Sequence, residues 1–213
     1  MTDKVTPLFP PKQHSHQEMA EAAFNTVIME GGEPDQEPLP DRLPIRITKL
    51  EMRRRIERTV PMPHKARLGL LRLREVPIPF YKFLFHGVGE GHHWRLPPNK
   101  TDDELHRELN GSDYDVHVLY LAGAPAGFFE LDLRKQQEAV VINCFGLMPY
   151  ARGRGLSRWF LNEMIRAAWT YEPPRLRLQT NDHDSPIALR LYQAAGFEVV
   201  GRTDGYLMLG SAE

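Results

Sequence analysis

Apolar positions in the second half of the chain switch between two spacings. Residues 140–147, Val-Val-Ile-Asn-Cys-Phe-Gly-Leu, form a short and nearly continuous apolar run that predicts a buried strand. From Leu156 the period lengthens. Leu156, Phe160, Met164 and Ala168 recur every four residues, with Leu161 and Ile165 widening the stripe, which predicts an amphipathic helix. Residues 115–121 and 126–133 predict two strands joined by a turn at Gly123 and Pro125, and 175–179 predict another. A second helix over 186–195 is entered through Asp184-Ser185-Pro186, with Asp184 as its cap, and left at Gly196. Residues 197–200 and 206–209 predict a closing hairpin.

Upstream, Ile45, Ile47 and Leu50 predict a first strand, and 79–88 a short aromatic helix. Thr101, followed by Asp102, Asp103 and Glu104, carries the cap and first-turn acids of another helix. Residues 1–44 are Pro-rich and polar, with a helical turn or two around 17–29 and otherwise an arm or linker. The folded unit is therefore expected over 45–210. Strands first meander and then alternate with helices, so the class is mixed α and β.

Composition narrows the function. A net charge of -1 over 213 residues gives no general attraction to nucleic acid or to an anionic membrane. The single cysteine, Cys144, excludes an intrachain disulfide framework and suits a reducing compartment. The N-terminus has no apolar core of signal-peptide length. The longest mostly apolar stretch, 118–129, is too short to span a bilayer. A cytoplasmic protein is expected, with no membrane partner. Residues 42–74 hold eleven Lys or Arg against two Glu. With little aromatic interleaving for base stacking, this stretch reads as a solvated face balanced by the acidic arm, and a nucleic-acid partner is not expected.

Candidate chemistry gathers where the 140–147 strand hands over to the helix, at Arg152-Gly153-Arg154-Gly155-Leu156-Ser157. A glycine-bearing turn feeding a helix leaves its first N–H groups pointing outward, and with the helix dipole and two arginines this makes a seat for phosphate or pyrophosphate. The third glycine of a dinucleotide fingerprint is missing, and so is the Lys of a nucleoside-triphosphate loop. An ordinary strand–helix turn that uses Gly to clear a neighbouring backbone is the competing reading.

Three segments resemble the GNAT superfamily of acyl-CoA-dependent N-acetyltransferases. Residues 147–156 look like that family's pyrophosphate loop, [QR]-x-x-G-x-[GA], with Ser157 standing where Gly or Ala is usual. Residues 188–197, Ala-Leu-Arg-Leu-Tyr-Gln-Ala-Ala-Gly-Phe, are similar to its A-x-x-[LF]-Y-x-x-x-G-F helix. Residues 124–128, Ala-Pro-Ala-Gly-Phe, resemble its x-P-x-G turn. Val88-Gly89 with Trp94, residues 180–189 and residues 145–149 match features of a subset of the family. The resemblance implies a mostly antiparallel, twisted central sheet of about six or seven strands flanked by about four helices, preceded by the N-terminal arm.

It also implies a function: acetyl transfer from acetyl-CoA, as co-substrate and without metal, directly to a primary amine of a small molecule or a peptide. The alternative is a non-catalytic acyl-CoA-binding module. A homodimer is compatible with either. Cofactor contacts carry over to Phe145, Leu147, Arg152, Gly153, Arg154, Gly155, Leu156, Ser157 and Tyr192. The Phe145 N–H polarises the thioester carbonyl, and Tyr192 is the general acid for the thiolate; its competing reading is a core aromatic beside Phe197. No acid lies in the series Val141, Asn143 and Phe145. Glu130 is therefore the first candidate base, with Asp184 or His183 acting through water as alternatives. Glu130 and Asp132 share a strand face by spacing and are equally readable as solvated. Cys144 reads as a buried strand residue and the pairs His14/His16 and His92/His93 as loop residues without a zinc spacing. An acceptor pocket is expected from Tyr81, Phe85, His92, His93 and Trp94, with further contacts at 203–206.

Overall fold

In a computed structural model, which describes residues 28–30, 42–63, 67–97 and 100–208, one eight-stranded sheet carries four helices. The strands are β1 (Ile28–Glu30), β2 (Arg42–Met52), β3 (Leu68–Arg72), β4 (Tyr114–Leu121), β5 (Ala124–Asp132), β6 (Val140–Leu147), β7 (Leu176–Asn181) and β8 (Glu198–Met208). The helices are α1 (Ile78–Gly89), α2 (Asp102–Leu109), α3 (Ser157–Trp169) and α4 (Ala188–Ala195). Strand order is β1-β8-β2-β7-β6-β5-β4-β3, antiparallel throughout except for β6 against β7. The class is the mixed, mostly antiparallel one expected.

Neighbouring residues of the central strands feed opposite cores, as the two-residue period of a strand requires. Phe129, Leu131 and Ile142 pack with Phe160, Leu161, Met164 and Ile165 beneath α3 and α4. Phe128, Val116, Val118 and Cys144 pack with Tyr81, Leu84 and Phe85 of α1 and with Leu105 and Leu109 of α2. Thr101 caps α2 in a reciprocal capping box with Glu104.

The structure departs from the pattern reading at five places. Residues 197–208 form no hairpin, and residue 209 of the expected one lies outside the described residues. Ladder partners on β2 hold Thr203, Asp204 and Gly205 in one continuous strand, and a bulge opposite Lys49/Leu50 absorbs the extra Val200. The β4–β5 turn is the pair Ala122-Gly123, both at positive φ, while Pro125 lies inside β5 at a bulge, where a missing donor costs little. Two short strands, β1 and β3, were not expected; β1 takes in Met29, and residues 17–27 lie outside the described ones. The strand expected from Ile45 is β2, and it starts at Arg42. Finally, α4 starts at Ala188 without a side-chain cap, so Asp184 is not its cap.

Candidate active site

The parallel pair β6–β7 holds together only at Val140–Leu176 and Val141–Arg177 and then opens. The cause is local. On the other side of β6, Glu130 pairs with Cys144 but Leu131 pairs with Ile142, which leaves Asn143 as the extra residue of a bulge. A bulge bends its strand and re-aims side chains. Here it puts Asn143 on the α1 side, donating to Glu130 at 2.8 Å, while Phe145 packs against Phe160 and Tyr192. The series Val141, Asn143, Phe145 is thereby broken: Asn143 and Phe145 serve different faces.

Backbone donors fall into the opening. In an antiparallel ladder alternate residues exchange both hydrogen bonds with the partner strand, and those between direct theirs away. The Met148 N–H bonds the Ala126 carbonyl, so the bonded positions continue through Gly146 and Cys144. Phe145 and Leu147 are the residues between, and their N–H groups point away from β5, toward the gap with β7. The Leu147 carbonyl, also released from β5, accepts the Arg152 Nε–H at 3.0 Å.

The gap is a cleft of about 230 Å³. Phe145, Leu147, Arg152, Gly153, Ser157 and Tyr192 line it, which brings together six of the sequence-predicted residues. Gly153 and Gly155 have φ of 73° and 74°, a region L side chains disfavour. They turn the chain into α3, whose first turn has no side-chain cap, so its leading N–H groups remain available to an anion. Three predicted cofactor residues do not reach the cleft. Leu156 is buried in the core under α3, and Arg154 and Gly155 project outward, exposed. Arg152 uses its guanidinium on the carbonyls of Leu147, Val88 and Glu90, which ties the loop to the end of α1.

Tyr192 sits edge-on to Phe145 and Phe197, each at 6.2 Å between ring centres. Among the described residues its hydroxyl has no hydrogen-bond partner. Burial, then the charges of Asp184 and Cys144, push the phenol well above its ordinary range. Asp184 lines the same cleft and accepts from the Thr180 hydroxyl at 2.8 Å, the Asn181 N–H at 3.0 Å and the Trp94 indole at 3.4 Å. Its position closes the turn after β7 against Trp94, a link no local pattern discloses.

Glu130 lies elsewhere. It is fully buried, accepts from the Tyr81 hydroxyl at 2.6 Å and from Asn143, and does not line the cleft. Asp132 is likewise buried and paired with Arg134, so neither carboxylate is solvated. Of the expected acceptor pocket, His92 and Trp94 line the cleft; Tyr81 and Phe85 are core residues beneath α1, and 203–206 belong to β8. His93 meets His183 edge-on at 5.8 Å between ring centres, and the His92 ring lies 3.3 Å from the His183 carbonyl. Among the described residues no group of three or more His, Cys, Asp or Glu is positioned to hold a metal. His14 and His16 lie outside the described residues. Cys144 is buried, with its residue at the cleft wall. No helix among the described residues is long and apolar enough to cross a membrane.

Three solved structures share the fold. An acetyltransferase of the GNAT family from Novosphingobium aromaticivorans superposes with a TM-score of 0.55 at 16% identity, covering 88% of this chain and 76% of that one. A tandem GNAT protein from the clavulanic acid biosynthesis pathway gives 0.54 at 13%, covering 88% and 65%. A GCN5-related N-acetyltransferase from Sphaerobacter thermophilus gives 0.52 at 18%, covering 79% and 53%. The chain thus spans less than two thirds of the length of the last two. None of the curated proteins compared matches the sequence. The model of the acetyltransferase (GNAT) family matches residues 82–197, more than half of the chain and every residue that lines the cleft. The chain belongs to the GNAT acetyltransferase family.

Proposed function

We propose that the chain is an N-acetyltransferase that moves an acetyl group from acetyl-CoA directly to a primary amine. The observation that carries this reading is the cleft itself: outward N–H groups of Phe145 and Leu147, an uncapped helix start behind two positive-φ glycines, and a tyrosine hydroxyl in one cavity. That donor set fits an extended amide-bearing arm ending in a pyrophosphate. The co-substrate supplies the activated thioester; the chain supplies the rest.

The Phe145 N–H donates to the thioester carbonyl oxygen and gains strength as negative charge develops there. The amine nitrogen attacks the carbonyl carbon, the C–S bond breaks with its electron pair going to sulfur, and the Tyr192 hydroxyl protonates the departing thiolate. Asp184 takes the ammonium's first proton before attack, directly or through water, and passes it to solvent; it then takes the second proton, which the nitrogen still carries after attack. It is the one carboxylate among the described residues that lines the cleft, whereas the carboxylate of Glu130 is sealed behind Asn143. One proton passing from Asp184 to Tyr192 then restores the starting state. Asp184 and Trp94 together offer an amine a counter-charge and an aromatic face.

The test is acetyl-CoA turnover against a broad panel of amines, including short peptides with free N-termini, read as thiol release. Amine-dependent release is expected. Tight acetyl-CoA binding with no release from any amine would favour the binding-module alternative.

A further inference from the structure

The apolar run of β6 holds one polar side chain, Asn143. Ile142, Cys144 and Phe145 suit either face of a buried sheet, so the apolar pattern alone does not fix where β6 carries its bulge. A slip of one residue exchanges the faces of everything beyond it. Asn143 supplies the missing signal. Its Nδ2 donates to Glu130 Oε1 at 2.8 Å, and its buried Oδ1 has no hydrogen-bond partner among the described residues. The bond to Glu130 is therefore what holds the amide in place.

Glu130 is itself held. It is fully buried, and its second oxygen accepts from the Tyr81 hydroxyl at 2.6 Å. Tyr81 is fully buried as well, its ring packed against Phe85 and Phe128 at 6.1 and 6.0 Å between centres. Burial, then the charge of Glu130, push its phenol well above the ordinary range, which keeps it a donor. The same helix reaches β6 a second time, where Val88 fills the space that a side chain on Gly146 would take. Helix α1 thus braces β6 on both sides of Phe145, through Glu130 at Asn143 and directly at Gly146.

Resting on the acetyl-transfer reading above, we infer that Glu130 and Tyr81 are positioning residues: they lock the bulge at Asn143 and thereby aim the Phe145 N–H at the thioester carbonyl. With Asn143 set out of the ladder, Cys144 and Gly146 bond β5 and the Phe145 N–H faces the gap. With Asn143 drawn into the ladder the parity reverses, Phe145 bonds β5, and the gap loses its donor. A buried polar pair suits this task, because any other register strands a carboxylate and an amide in an apolar core. Glu130 acts through Asn143 and touches no substrate.

The test combines amide hydrogen exchange, read by NMR on the isotope-labelled full chain, with acetyl-CoA turnover on the amine panel. In the wild type Cys144 and Gly146 should exchange slowly and Phe145 and Leu147 fast. Glu130→Leu should abolish that alternation and lower kcat by about 10²-fold, the usual cost of a misplaced catalytic donor. Glu130→Gln should keep both, since its amide oxygen still accepts from Asn143 and its NH2 group meets the Tyr81 oxygen. Combining Glu130→Leu with Asn143→Leu removes both polar partners, so Tm should return toward the wild type while kcat stays low, a split that a purely structural role does not give. Should Glu130→Leu not fold, Asn143→Ala, at a half-buried position, decides by the same two readings. An alternation or a kcat unmoved by the deciding variant, or a kcat that recovers with Tm in the double variant, overturns the assignment. The expected alternation in a chain that acetylates no amine overturns the acetyl-transfer reading and the aiming role with it, and leaves the lock on the bulge.

Discussion

Tyr192→Phe separates chemistry from architecture with a single atom. The ring keeps its edge-on contacts with Phe145 and Phe197, and the hydroxyl has no partner among the described residues, so no hydrogen bond within them is lost. Stability should therefore change by no more than about 0.5 kcal/mol. Loss of a general acid typically costs about 10²- to 10⁴-fold in turnover, or about 2.7 to 5.5 kcal/mol of transition-state stabilisation. Burial holds the phenol protonated well beyond neutral pH, so the ratio of wild-type to variant turnover should stay flat between about pH 6 and 9. The assay is steady-state thiol release with the best amine of the panel, alongside acetyl-CoA affinity by calorimetry. Affinity should hold while kcat falls. A variant kcat within twofold of wild type, with pre-steady-state data showing that acyl transfer limits the rate, refutes the acid role.

Asp184→Asn should lower kcat/KM at neutral pH, and the deficit should shrink as pH approaches the pKa of the amine, which then arrives already deprotonated; a pH-independent deficit would mark Asp184 as structural, through Thr180, Asn181 and Trp94. Asp115 is buried and accepts from Arg72, His117 and Tyr171, so Asp115→Asn should cost about 3 kcal/mol, or about 6–12 °C in Tm by calorimetry; an unchanged Tm would contradict it. Burial pushes the Glu51 carboxyl up, but Arg177, Arg53 and Arg175 outweigh it and hold the folded value below the ordinary 4.5. Glu51 therefore stabilises the fold above that pH and loses the contribution as pH falls through the lowered value; melting at pH 3 to 7 should show a shallower acid limb in Glu51→Gln. Gly155→Ala meets no neighbouring atom but forces an L side chain to a φ of 74°, so CoA affinity should drop with only about 1–2 kcal/mol lost in stability; unchanged affinity would remove this turn from the anion seat.

Periodicity and turn chemistry are local, and they located α3, α4, α2 and the central strands because each buries one regular face. The turn from Arg152 to Ser157 and the Tyr192 helix were legible for the same reason: a strand-to-helix turn and a helix stripe are written in adjacent residues. The bulge at Asn143 was not, because it is a mismatch of register with Glu130 and Leu131 on another strand. Nor was the fate of Glu130, whose burial depends on Tyr81 arriving from α1 to donate to it. Asp184 read as a helix cap because its neighbours in sequence suggested one, yet its partners are the end of β7 and Trp94, 90 residues away.

What the sequence determined by itself is the family, the central elements and the glycine turn into α3, all of which rest on patterns within a few residues. The tertiary structure alone decided which side chains share the cleft. It put Asp184 there and Glu130 behind the wall, held residues 203–205 in a strand, and laid Ile56 and Arg58 against the end of α4. Those outcomes follow from strand register and from the insertion of β2 between β7 and β8, and register is a relation between distant segments that no local spacing encodes.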